Sequence, residues 1–154
     1  MSYQDAYRPP TQFSVFPPVI KNLLIINVLV FVAQFLNDTF LTQYFALWPL
    51  GNFPDIIQSV FGARRVGDFW PWQLITYSFL HGGFGHIFFN MFALWMFGVQ
   101  IENTWGTRRF AVFYFICVIG AGLTQLVVAT IAAQNGQIYP TVGASGGVFG
   151  ILLA

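Results

Sequence analysis

The stretch FAVFYFICVIGAGLTQLVVATIAA, Phe110 to Ala133, contains neither a charged residue nor a proline. At a rise of about 1.5 Å per residue it is long enough, as a helix, to cross the ~30 Å hydrocarbon core of a bilayer. The rest of the chain agrees with that reading. Hydrophobic residues make up 56% of it and charged residues only 7%, and the mean hydropathy is +0.66. A soluble domain with an ordinary charged surface does not reach these values. An aromatic share of 19% suits helices set among acyl chains and anchored at the headgroup level.

Working outward from that segment, the next apolar runs are Val19–Leu36, interrupted only by Lys21, Asn22, Asn27 and Gln34, and Leu74–Ile101. These are the expected first and second spans, with Phe110–Ala133 the third. A fourth starts near Val142 and reaches Ala154, short of the roughly 20 residues a span needs, so the sequence is expected to stop inside a helix. Residues 1–18 form a polar tail punctuated by proline, without the layout of a cleavable signal peptide. Residues 37–73 read as a long, partly embedded interfacial loop carrying Asp38, Asp55, Asp68 and the pair Arg64-Arg65. The fold class is therefore all-α, a polytopic membrane helical bundle. If the spans alternate, Arg8, Lys21, Arg108 and Arg109 fall on one side against Arg64 and Arg65 on the other, which places the N-terminus in the cytoplasm.

Composition also excludes functions. Six scattered basic residues and a net charge of +1 leave no electrostatic footprint for nucleic acid. The single Cys117 rules out an intrachain disulfide and a cysteine metal site. Two histidines and one carboxylate on the second span make no metal-binding set, and no cofactor is expected.

Polar side chains at membrane depth are costly and need a partner or a function. Those in the second and fourth segments are His81, His86, Asn90 and Ser145. In HGGFGHIFFN (81–90), His86 and Asn90 are four apart and project from one helical face. Gly82, Gly83 and Gly85 beside them leave room for another backbone or for water. Taken alone, the pair also reads as interhelical hydrogen-bonding glue. In VGASGGVFG (142–150), Ser145 stands at the start of an apolar helix, where unsatisfied N–H groups favour a developing oxyanion. Taken alone, its glycines read as a packing surface, with Gly143 and Gly147, and Gly146 and Gly150, spaced as small-xxx-small pairs.

The combination resembles the rhomboid family of intramembrane serine proteases. The matching elements are HGGFGHIFFN, then GVQIENTWG (98–106), then GASG at 143–146, in that order, after a long first loop and around a charge-free third span. The resemblance covers roughly residues 19–154 and implies that three and a half of six core transmembrane helices are present. It implies Ser145 as nucleophile, with His86, Asn90 and the Ser145 N–H forming the oxyanion hole. It makes His81 and Glu102 structural, the former tying the loop to the second helix and the latter closing that helix's cytoplasmic end. Transmembrane proteins in the lipid bilayer are the implied substrates. Many family members carry Trp-Arg where this chain has Trp72-Gln73, which is expected to alter loop packing and not chemistry. The family takes its general base, a histidine, from a sixth span, so the 154 residues alone are expected to be inactive. A rhomboid-like pseudoprotease, which binds membrane clients without cutting, is the alternative, and a channel or transporter ranks third.

Overall fold

The computed structural model describes residues 13–51 and 68–154. The polar tail up to residue 12 and the part of the expected loop carrying Asp55, Arg64 and Arg65 lie outside the described residues. Among the described residues five α-helices follow in order: α1 (Pro18–Phe45), α2 (Gln73–Thr76) continued by a 3₁₀ turn (Tyr77–Phe79), α3 (Phe84–Trp105), α4 (Thr107–Gln134) and α5 (Ser145–Leu152). Three of them, α1, α3 and α4, are long and apolar enough to cross a membrane. Only 28%, 28% and 22% of their most apolar windows are buried within the protein. The remaining faces, such as Leu29, Phe35, Phe89 and Ile131, would be untenable in water and are suited to lipid. The chain is a multi-pass membrane protein built as a helical bundle.

α1 begins where Pro17 and Pro18 permit it. Pro18 occupies the first helical position, where its missing N–H costs nothing. The next two donors are met from across the bundle: the Val19 and Ile20 N–H groups donate to the two carboxylate oxygens of Glu102, each at 2.9 Å. Glu102 is 2% exposed, so it joins the last turn of α3 to the first turn of α1. Stranding either donor would cost about 1–3 kcal/mol. Next to it, Asn103 accepts from the Ser14 N–H and donates to the Ser14 carbonyl. The two helices can lie this close because Gly98 has no side chain where Ile20 crosses.

Helix boundaries differ from the expected spans for local reasons. α1 is interrupted at Asn37 (φ −156°, ψ 71°), one residue beyond the expected end of the first span. The Asn37 side chain accepts from the Phe40 N–H at 3.1 Å and so caps a second helical piece that continues to Phe45, within the stretch expected to be loop. The expected second span, 74–101, divides. α2 and the 3₁₀ turn end at an extended Leu80, Gly82 and Gly83 break the helix, and the spanning helix starts at Phe84. His81 accordingly sits in the connecting turn and not on the helix. Between α3 and α4 the chain turns at Gly106, whose φ of +84° suits glycine. The helix after it runs from Thr107, three residues before the expected third span.

The core is the narrow seam where these helices meet, with Leu23, Leu94, Phe110, Tyr114, Val118 and Ile151 buried along it. Residues 46–48 close over its far end, where Leu47 and Thr141 exchange backbone hydrogen bonds at 3.0 and 2.9 Å.

Candidate active site

The far end of the bundle, away from Glu102 and the Arg108-Arg109 pair, carries the polar groups singled out from the sequence. α5 starts at Ser145, and its first intrahelical bond runs from the Val148 N–H to the Ala144 carbonyl. The N–H groups of Ser145 to Gly147 therefore precede the helical ladder, and no side chain caps them. Such donors carry partial positive charge and favour an anion.

α5 stands close against α4. A Cβ at Gly147 would lie 2.5 Å from the Tyr114 ring, one at Gly146 would lie 2.5 Å from Ala121 Cβ, and one at Gly150 would meet Cys117. Gly146, Gly147 and Gly150 thus pack against α4, while Ser145 lines a groove on another side of the same helix, so the packing of the glycines does not exclude a role for the serine. Gly143 is different. It precedes the helix, at φ +121°, and a Cβ there would stand 2.6 Å from His86 Cε1 and Nε2. Its spacing from Gly147 is not a helical small-residue pair, because helix begins only at Ser145. Gly143 is instead the floor on which the His86 ring lies.

His86 and Asn90 occupy successive turns of α3. With Ser145 they line one open groove of about 370 Å³, bounded by Gly85, Phe89 and Phe149. Ser145 and His86 are partly exposed, and Asn90 is buried. The Gly82 N–H donates to His86 Nδ1 at 3.3 Å. A ring that accepts at Nδ1 carries its proton at Nε2, on the atom that lies by Gly143. His86 therefore presents a donor, not a base, at Nε2. The Asn90 amide donates once to the His86 carbonyl at 2.8 Å, which leaves its second N–H to give. His81 is buried, its ring 5.1 Å from that of His86 in an edge-on contact. Among the described residues no cluster of His, Cys, Asp and Glu could hold a metal ion.

Two further residues support the site: Tyr77, which carried no signal in the sequence, and Gln73, noted there for its bearing on loop packing. The Tyr77 carbonyl accepts from the Gly143 N–H at 2.8 Å, while its hydroxyl donates to the Val118 carbonyl at 2.8 Å. This residue fixes the approach to Ser145 against α4. Gln73, the neutral residue after Trp72, is fully buried. Its amide accepts from the Trp48 N–H at 3.2 Å and donates to the Asp68 carbonyl at 2.9 Å, so it anchors the first loop through neutral hydrogen bonds.

Comparison with known proteins gives a consistent answer. The family model described as Rhomboid domain matches residues 69–154. The chain is 37% identical over 81 residues to the rhomboid protease GluP of Bacillus subtilis, an alignment that covers 53% of this chain and 14% of that protein. It is 29% identical over 152 residues to the mitochondrial Rhomboid protein 1 of Saccharomyces cerevisiae, covering 97% of this chain and 40% of the yeast protein. With the mitochondrial RHOMBOID-like protein 6 of Arabidopsis thaliana the identity is 26% over 169 residues, 95% of this chain and 52% of the relative. The chain thus spans about half or less of the length of these relatives.

Proposed function

The chain belongs to the rhomboid family, and on that premise we propose that it supplies the nucleophile and the oxyanion-stabilising groups of an intramembrane serine endopeptidase acting on transmembrane proteins. The observation that carries this reading is the shared groove, in which Ser145 at a helix start faces the same cavity as His86 and Asn90, with the His86 proton directed to Nε2.

In the reaction the Ser145 Oγ bonds to the scissile carbonyl carbon and gives up its proton to a general base. The carbonyl oxygen becomes an oxyanion, held by the Ser145 N–H, the His86 Nε2–H and the free Asn90 N–H. As the tetrahedral carbon collapses, the C–N bond breaks and the base returns the proton to the leaving amine. Water then displaces Ser145 from the acyl-enzyme by the same steps. Donors preorganised in this way are commonly worth ~3 kcal/mol each in the transition state. His86 cannot also be the base, because its Nδ1 is engaged by Gly82 and its Nε2 is protonated. Membership of the rhomboid family implies that the base is a histidine of a sixth span. No cofactor enters the chemistry.

A fluorophosphonate probe should label Ser145 in the whole protein and leave the 154-residue polypeptide unlabelled, since an unactivated hydroxyl is a poor nucleophile. Mass spectrometry of the peptide containing Ser145 reads both results. Labelling of the short form would place the base within it, and no labelling of the whole protein at Ser145 would end the proposal.

The groove opens at the end opposite Arg108 and Arg109. With those arginines and the N-terminus on the cytoplasmic side, cleavage takes place near the non-cytoplasmic face. In a Cys117→Ala background, a cysteine at Gln137 should react with an impermeant maleimide added outside cells, and one at Arg108 should not. The reverse pattern would invert the orientation.

A further inference from the structure

We infer that Gln34, on α1, is a positioning residue for the oxyanion-stabilising side of the groove, acting through the backbone of the His81-Gly82 turn on the ring of His86. Gln34 lies on a membrane-spanning helix and is buried, 9% exposed. An amide there is retained at a cost unless its valences are met. Three groups from two residues meet them. Oε1 accepts from the His81 N–H at 2.9 Å, and Nε2 donates to the His81 carbonyl at 3.2 Å. The other Nε2 hydrogen goes to Asp38 Oδ1 at 3.1 Å, which also accepts from the Thr42 hydroxyl at 3.3 Å.

This Asp38 contact settles which way the Gln34 amide points. An Nε2 oriented to the carboxylate puts Oε1 where only a donor can satisfy it, and the His81 N–H is that donor. The amide thus clamps both backbone polar groups of His81, which stands in the turn ahead of the first helical bond of α3, from the Ile87 N–H to the Gly83 carbonyl. The next residue along is Gly82, whose N–H donates to His86 Nδ1. That bond selects the tautomer in which Nε2 carries the proton, on the side of the ring that rests on Gly143. Gln34 touches neither Ser145 nor the groove, so its influence runs wholly through the turn. Asn103 grips the Ser14 backbone in the same two-handed way at the other end of α3, but no group of the groove depends on that contact.

The kinetic part of the test rests on the serine-protease reading, and the spectroscopic part does not. In the whole protein labelled with ¹⁵N-histidine, the His86 resonances, assigned by their loss in His86→Ala, should show a bare Nδ1 and a protonated Nε2. Gln34→Leu should give a mixture of the two tautomers. It should also lower kcat for a transmembrane substrate by ~10-fold, less than the ~10²-fold that a full 1 Å misplacement can cost, with KM changed less than about twofold. In a His86→Ala background, Gln34→Leu should cost less than about twofold, because residues acting as one unit are not additive. If Gln34→Leu keeps the wild-type tautomer, or costs the same factor in both backgrounds, Gln34 does not act through His86 and the inference fails. If the leucine variant does not fold, Asp38→Ala decides by the same readouts, since Asp38 is exposed and its loss frees the Gln34 amide without opening the core. A His86→Ala protein as fast as wild type would refute the protease reading instead, and the tautomer measurement would still decide the role of Gln34.

Discussion

Replacing Ser145 by alanine in the whole protein should reduce cleavage of a transmembrane substrate to background, a loss on the order of 10⁴-fold or more, because no acyl-enzyme can form without the nucleophile. The substitution removes one partly exposed oxygen at the start of α5. The helix-packing glycines on its far side stay in place, so thermal stability in detergent should hardly change. His86→Ala and Asn90→Ala should each lower the rate by ~10²–10³-fold, as expected for the loss of one oxyanion donor. The combination of these results discriminates between readings. Undiminished cutting by Ser145→Ala would mean that the nucleophile lies elsewhere. A wild-type protein that binds transmembrane clients and never cuts them would be a pseudoprotease that retains the groove for recognition.

The sequence exposes the membrane helices and the three groove residues for the same reason: at membrane depth both apolar continuity and polar exceptions are conspicuous. Phe110–Ala133 has no charge to dilute it, and His86, Asn90 and Ser145 stand out against apolar neighbours. Features that depend on how the backbone breaks were less legible. An apolar window treats Leu74–Ile101 as continuous, yet Gly82 and Gly83 end one short helical segment and Phe84 starts the spanning one. Apolarity likewise does not register that Asn37 caps a new helical piece. The supporting polar residues were hidden by sequence distance. Gln34 and His81 are 47 residues apart, and Tyr77 and Val118 are 41 apart. Each looks like a tolerated polar atom until the fold reveals which backbone group it satisfies.

Glu102 and Gln34 show a division of labour between the two ends of α1. At its start a carboxylate saturates two orphan N–H groups, which fixes α1 against α3. Towards its other end an amide grips the turn that leads into α3. Between these fastenings Leu23 and Asn27 are the buried residues of α1, and the Asn27 amide donates within its own helix to the Leu23 carbonyl. Hydrophobic burial gives little between helices in lipid, so the polar contacts at the ends carry much of the specification of how α1 docks.

Gly143 offers the most selective way to disable the site without touching a group that reacts. Gly143→Ala should lower the cleavage rate by ~10²-fold, comparable to removing the His86 donor itself. The added methyl would stand 2.6 Å from His86 Cε1 and Nε2, closer than two such atoms can approach. The backbone is the less free of the two to yield, because the Gly143 N–H is tied to the Tyr77 carbonyl at 2.8 Å, and it is the imidazole that must move. Any displacement takes Nε2–H away from the oxyanion position while leaving Ser145 in place. Holding alanine at φ +121° adds a backbone strain of about 1–3 kcal/mol, so a lowered thermal midpoint is expected as well. Strain and displacement separate in the His86→Ala background. With the ring gone, Gly143→Ala should still lower the midpoint but should cost less than about threefold further in rate, since the two substitutions remove the same donor. A full ~10²-fold loss in that background would assign Gly143 to the shape of the loop before Ser145 and not to the seat of His86.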